Sequence, residues 1–131
     1  MNKREVKQLY YLTKELAMWQ EKLLELKNSI KVSAPATDSD GIRASGTNSD
    51  KVGNLAVDIA DTEKIIEGKI AEIQYRKCEI LKWINTLDDS YARLIVQYRC
   101  VDLMSWRDIA MKIGGGNTED SVRMTFNRLF D

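Results

Sequence analysis

The sequence predicts an all-α protein, and three observations carry that expectation. Proline occurs once, at Pro35, and no glycine lies between Met1 and Val32, so long stretches are free of helix breakers. Two long segments repeat apolar residues at alternating spacings of three and four, the period of one helix face. The last 44 residues, Asp88 to Asp131, divide into short helical runs separated by a polar break and a glycine run. The expected architecture is a long antiparallel helical hairpin followed by a three-helix unit that contains a helix-turn-helix.

At 131 residues, 44% of them hydrophobic, the chain has the size of one domain and enough apolar content for a core. The first helix is expected over residues 1–31. Val6, Leu9, Leu12, Leu16, Trp19, Leu23, Leu26 and Ile30 form its stripe, which Tyr10 and Leu24 widen. Its length is about 40 Å at the helical rise. Residues 32–50 are rich in Ser, Thr, Asp and Gly without a period and read as a surface loop. The second helix, over 51–87, is expected to start from Ser49 or Asp50 as N-cap. Val52, Leu55, Ile59, Ile66, Ile70, Ile73, Ile80, Ile84 and Leu87 carry its stripe, and Gly68 in its middle costs up to about 1 kcal/mol. A two-helix hairpin has little core of its own. Its stripes must be buried on the C-terminal unit, on another copy of the chain, or on a partner.

In the unit over 88–131 the apolar positions are Leu94, Ile95, Tyr98, Val101, Trp106, Ile109, Ala110, Ile113, Val122, Phe126 and Leu129. An apolar helix is expected to end near Val101. Ser105 is placed to cap a short helix, W-R-D-I-A-M-K-I, with Asp108 at the third position of an approximate capping box. Ile109 and Ala110 are the pair expected where two helices cross closely, because a small residue lets the backbones approach. Gly114-Gly115-Gly116 ends that helix, and Thr118 caps the next, whose first turn holds Glu119 and Asp120. Two short helices joined by a glycine-containing turn form the unit that places a recognition helix in the major groove of DNA.

Leu87 to Phe130 resembles the C-terminal helix-turn-helix of sigma factors, region 4, which reads the −35 promoter element. The likeness rests on L-D-D-S-Y-A-R-L-I-V-Q-Y-R-C-V, S-W-R-D-I-A-M-K-I-G and T-E-D-S-V-R-M-T-F-N-R-L. The whole chain is similar to small transcription regulators of Gram-positive phages and prophages of the RinA and ArpU type, to which S-D-K-V-G-N-L-A-V-D-I-A-D-T-E-K-I-I also points. The resemblance implies activation of phage late or packaging genes through binding of double-stranded promoter DNA. It implies a recognition helix from Thr118 to Phe130 with Val122, Phe126 and Leu129 inward. Glu119, Asp120, Ser121, Arg123, Met124, Asn127 and Arg128 would then face the groove. Arg123 and Asn127 are the expected base readers, since Arg pairs bidentately with guanine and Asn with adenine. Arg107, Lys112 and Arg128 are the expected phosphate contacts.

Charge works against this picture. Lys plus Arg and Asp plus Glu both number 20, and residues 88–131 hold six basic and seven acidic side chains, a balance of −1. The Glu119-Asp120 opening repels phosphate, so a second copy or polymerase is expected to support the contact. An adaptor that touches polymerase with little DNA affinity, or a small-terminase-like DNA-recognition subunit, are the competing expectations. No catalytic or metal chemistry is expected. The chain has no histidine, Gly114-Gly115-Gly116 lacks the Lys-Ser/Thr of a phosphate-binding loop, and Cys78 and Cys100 stand 22 residues apart without supporting ligands. Both cysteines are expected to be reduced and buried, and a start without an apolar signal core predicts a cytoplasmic protein of the bacterial host that does not enter the membrane. Arg93 and Arg99 are expected as solvated charges or in ion pairs with Asp88, Asp89 or Asp102. Trp19, Trp83 and Trp106 are expected to be packing residues.

Overall fold

The computed structural model describes residues 1–33 and 45–131, and in them the chain is all-helical with no strand. Helix α1 spans Lys3–Ser33 and α2 spans Ser45–Ile84. Helix α3, Ser90–Val96, continues into a π-helical turn at Gln97–Val101; α4 covers Trp106–Ile113 and α5 covers Glu119–Arg128. Among the described residues no helix is long and apolar enough to cross a membrane.

Two boundaries differ from expectation. α2 begins at Ser45, so Ser49 and Asp50 lie inside the helix and neither caps it. Nothing in Ser45 to Asp50 forbids a helix: the polar residues are weak formers, each costing tenths of a kcal/mol, and no proline intervenes. The expected loop over 32–50 therefore loses both of its ends to helix, and residues 34–44 lie outside the described residues. At the other end α2 stops at Ile84. Thr86 and Leu87 close a tighter turn, with their N–H groups donating to Trp83 and Ile84 carbonyls at 2.9 and 3.0 Å.

The chain forms two compact units. One is Lys14–Ala71. Within it Leu16, Trp19, Leu23, Leu26, Ile30, Leu55 and Ile59 are only half-buried, and among its described residues Thr62 and Ile66 are buried. The Thr62 hydroxyl donates to the Asp58 carbonyl at 2.7 Å, which satisfies it inside the helix. Leu24, expected to widen the stripe, is 60% exposed, and Val52 and Ile70 are exposed as well. Lys27 pairs with Glu63 at 3.7 Å and Glu15 with Lys69 at 2.9 Å, the lower-numbered α1 residue meeting the higher-numbered α2 residue. Lys69 is half-buried and the other three partners are exposed, and surface pairs of this kind contribute at most about 1 kcal/mol each.

The second unit joins Met1–Thr13 to Glu72–Asp131 and holds nearly all of the core. Val6, Leu9 and Leu12 of α1 are buried there with Ile73, Ile80 and Ile84 of α2, Ile95 and Val96 of α3, Ile109 and Ala110 of α4, and Val122 and Phe126 of α5. α4 packs on α5 and on the π turn, and α3 packs on α5. Tyr10, assigned to the α1 stripe, is exposed. Leu94, expected inward, is also exposed, because α3 turns Ala92, Ile95 and Val96 to the core instead. The π turn, marked by Asp102 N–H donating to the Gln97 carbonyl at 3.0 Å, has no signature in the apolar spacing. Two residues beyond it, Leu103 is a non-glycine residue in the left-handed region (φ 56°).

Local chemistry sets the ends of α3, α4 and α5. The Asp89 carboxylate accepts from Tyr91 N–H, and the Ser105 hydroxyl accepts from Asp108 N–H at 3.1 Å. Thr118 and Ser121 exchange both bonds of a capping box, at 3.1 and 2.9 Å. Between α4 and α5, Gly114, Gly115 and Gly116 all have positive φ, and Gly114 (φ 70°, ψ −150°) sits where only glycine is at ease. A Cβ at Gly114 would meet nothing within 4 Å, so the requirement is one of backbone conformation and not of space. Gly114→Ala is therefore predicted to destabilise the unit by about 1–3 kcal/mol. Gly68→Ala, in the open middle of α2, is predicted to stabilise by up to about 1 kcal/mol. Urea denaturation of the two variants checks the opposite signs.

Candidate nucleic-acid interface

α5 is fixed by its inward face. Val122 and Phe126 are fully or nearly fully buried, and Phe126 touches aromatic rings on both sides: Trp106 of α4 and Phe130, each with ring centroids 5.1 Å away. Phe130 in turn meets Trp83 of α2 at 5.4 Å. Trp83 and Trp106 are thus packing residues, as expected, and Trp19 is half-buried with the Lys22 ammonium 5.3 Å from its ring.

With that face buried, Thr118, Glu119, Asp120, Arg123, Met124 and Arg128 lie exposed on α5, and Arg107 and Lys112 lie exposed on α4. Ser121 is half-buried and committed to the capping box, so its hydroxyl holds the helix start. The Lys112 ammonium stands 5.1 Å from the Tyr98 ring centroid. Arg123 is paired with Asp120, one turn back on the same helix. This ties the acidic opening of α5 to its first cation. Met124 of α5 and Met111 of α4 are large apolar side chains exposed beside these residues.

Asn127 is placed differently from the rest. It is half-buried, and its Oδ1 accepts a hydrogen bond from Lys3 Nζ at 2.7 Å. A bidentate adenine contact uses both Oδ1 and Nδ2 of asparagine, and here one of them is engaged by the first turn of α1. Asn127 and Arg123, four residues apart on one flank of α5, also line a cleft of about 580 Å³ whose opposite wall carries Lys3 and Lys7. Val6, Cys100 and Phe126 contribute buried apolar surface to it, and Arg99 lines it from the π turn. The contribution of α1 has no signal in the sequence beyond a basic start, Lys3, Arg4 and Lys7 within seven residues, because the contact spans 124 positions of chain.

Both arginines of the α3 segment depart from expectation. Arg99 donates to the Met104 carbonyl at 2.9 Å and stacks its guanidinium 4.2 Å from the Trp106 ring centroid. Arg93 donates to the Leu87 carbonyl and to Ser90 Oγ at 2.7 Å. Neither is in a salt bridge with Asp88, Asp89 or Asp102; the acceptors are backbone carbonyls and the Ser90 hydroxyl.

The cysteines divide. Cys100 is buried as expected, but Cys78 is exposed, lying on the outer face of α2. Burial pushes the Cys100 thiol up to about 12, against the weaker opposite pull of the Arg99 charge. Among the described residues no group of three or more His, Cys, Asp or Glu side chains is placed to hold a metal ion. The chain matches no family model, and no curated protein and no solved structure is significantly similar to it.

The native protein is predicted to react with one equivalent of an aromatic disulfide reagent at pH 8, at Cys78, with the second thiol released only on unfolding. Because the fold favours the neutral Cys100 thiol, this contribution to stability is complete below the ordinary thiol value of 9.0 and declines as pH rises from there toward 12. Equal, rapid reaction of both thiols in the folded state would contradict the placement of Cys100.

Proposed function

We propose that this chain is a DNA-binding transcription regulator of the phage and prophage type, which reads double-stranded DNA by inserting α5 into the major groove. The observation that carries this reading is the α4–glycine–α5 segment. Two short capped helices are joined by three glycines of positive φ, with Ile109, Ala110, Val122 and Phe126 buried between them and Arg123, Met124 and Arg128 presented outward. That arrangement is what a helix-turn-helix requires of its packing and of its solvent face. The resemblance of residues 87–130 to sigma region 4 supplies the promoter class of the target. In this reading Arg123 reads a base once the duplex competes with Asp120 for it, and Arg107, Lys112 and Arg128 hold phosphates.

The same reading takes α1 and α2 as an antiparallel hairpin, supported by the sense of the Lys27–Glu63 and Glu15–Lys69 pairs. Lys14–Ala71 leaves Leu24, Val57, Ile65 and Ile70 exposed and buries little of its own apolar surface, and we assign that surface to a second copy of the chain. A dimer doubles the number of phosphate contacts, which a monomer of zero formal net charge needs.

Sedimentation of the protein alone and with a labelled duplex, selected from a randomised pool, tests both statements. The expected result is a dimer that binds the duplex with salt-dependent affinity. Arg123→Ala is expected to cost about 1–3 kcal/mol and relax preference at one base pair, and Arg128→Ala to weaken all sequences alike. A protein that selects no duplex up to tens of micromolar is instead an adaptor that contacts polymerase or another protein.

A further inference from the structure

The cleft between the first turns of α1 and the Arg123–Asn127 flank of α5 is biased in charge. Four cations line it, Lys3, Lys7, Arg99 and Arg123, and no carboxylate does. In a chain with equal numbers of acids and bases, that is a local concentration of positive charge. Among the described residues three of the four have no carboxylate partner in an ion pair. Lys3 is oriented by an amide oxygen, Arg99 by a carbonyl and an aromatic face, and Lys7 makes no ion pair among the described residues. Only Arg123 has a carboxylate partner, Asp120. Neutral partners fix direction without cancelling charge, which is the arrangement that suits an incoming anion.

We propose that this cleft grips a backbone phosphate of the DNA that α5 reads, so that Lys3 and Lys7 of α1 belong to the DNA-contacting surface. The inference rests on the reading of α5 as the recognition helix. It adds α1, which no helix-turn-helix pattern includes, and it gives Asn127 the role of positioning Lys3 rather than reading adenine. The cleft shares Arg123 and Asn127 with the face of α5 assigned to the groove, so a duplex seated there runs past Lys3 and Lys7. Charge supports the same conclusion. Residues 88–131 carry −1, whereas the compact unit that includes Met1–Thr13 has twelve basic and ten acidic residues, or +2. Met1–Thr13 supplies +2 of that change and Glu72–Leu87 the remaining +1, so the start of α1 by itself reverses the sign of residues 88–131.

The phosphate chemistry fits either duplex DNA or a free nucleotide, and one set of titrations separates them. Duplex affinity is measured against salt for the full chain, for Lys3→Gln/Lys7→Gln, for the charge-retaining Lys3→Arg/Lys7→Arg, and for Lys51→Gln/Lys64→Gln, which removes the same charge from exposed positions of the other unit. Circular dichroism melting confirms that each variant is folded. We expect the Lys3→Gln/Lys7→Gln protein to lose roughly 10- to 100-fold in affinity at 0.1 M salt. Its salt slope should fall by about one to two, with scrambled and selected duplexes affected alike. The arginine pair and the Lys51→Gln/Lys64→Gln protein should retain wild-type slopes. An unchanged slope in Lys3→Gln/Lys7→Gln, or an equal loss in Lys51→Gln/Lys64→Gln, overturns the assignment of the cleft while leaving α5 as the reader. A wild-type protein that binds no duplex overturns both. Adenosine monophosphate that displaces the duplex beyond the effect of matched ionic strength, and does so only when Lys3 and Lys7 are present, reassigns the cleft to a free nucleotide.

Discussion

Phe126 is the contact on which the exposed surface of α5 depends. Its ring lies between Trp106 of α4 and Phe130, and Phe130 continues the stack to Trp83 at the end of α2. Aromatic pairs of this kind contribute about 0.5–1.5 kcal/mol each beyond the area they bury, and loss of a buried Phe side chain costs about 3–5 kcal/mol. The ring also sets the rotation of α5. With Phe126 and Val122 inward, Arg123, Met124 and Arg128 must face out, and Asn127 must fall on the flank beside α1. Cys100 and Val6 close against the same apolar floor, so the one cluster holds α3, α4, α5 and the start of α1 in a common core.

The surface built on that core is arranged by compensation between opposite charges and neutral acceptors. Asp120 restrains Arg123, the Trp106 face and the Met104 carbonyl restrain Arg99, and Asn127 restrains Lys3. These partners reduce the side-chain entropy that a long cation loses when it meets a phosphate, because part of it is already lost in the free protein. The left-handed glycines and the Thr118–Ser121 box do the equivalent for the backbone, fixing where α5 begins. In the proposed mechanism affinity comes from phosphate contacts spread over α1, α4 and α5, and sequence preference comes from few side chains of α5.

Local rules of sequence reach as far as this packing and stop there. Ser105, Thr118, Ile109, Ala110, Val122 and Phe126 are legible because capping and helical period act over three or four residues, and each lies as those rules require. The Gly114–Gly116 turn is legible for the same reason. Leu94 and Tyr10 are misread because each adjoins a correctly read buried residue, Ile95 or Leu9, and apolar spacing alone fixes neither the edge of a stripe nor a change in its phase. The π turn at Gln97–Val101 inserts such a phase change where the composition is unremarked. The Lys3–Asn127 contact joins the two ends of the chain, and no spacing rule operates over that separation. The start of α2 is misread because Ser and Asp serve equally as caps and as tolerated members of a first turn.

The central claim, that α5 and the first turn of α1 together form the surface that meets DNA, is tested most directly by amide chemical-shift mapping of the full chain titrated with a selected duplex. The account predicts perturbations concentrated at Thr118–Arg128, at Arg107 and Lys112, and at Lys3 and Lys7, with those of Lys14–Ala71 limited to uniform broadening. Perturbations concentrated in Lys14–Ala71, with α5 and the α1 turn unmoved, would contradict it.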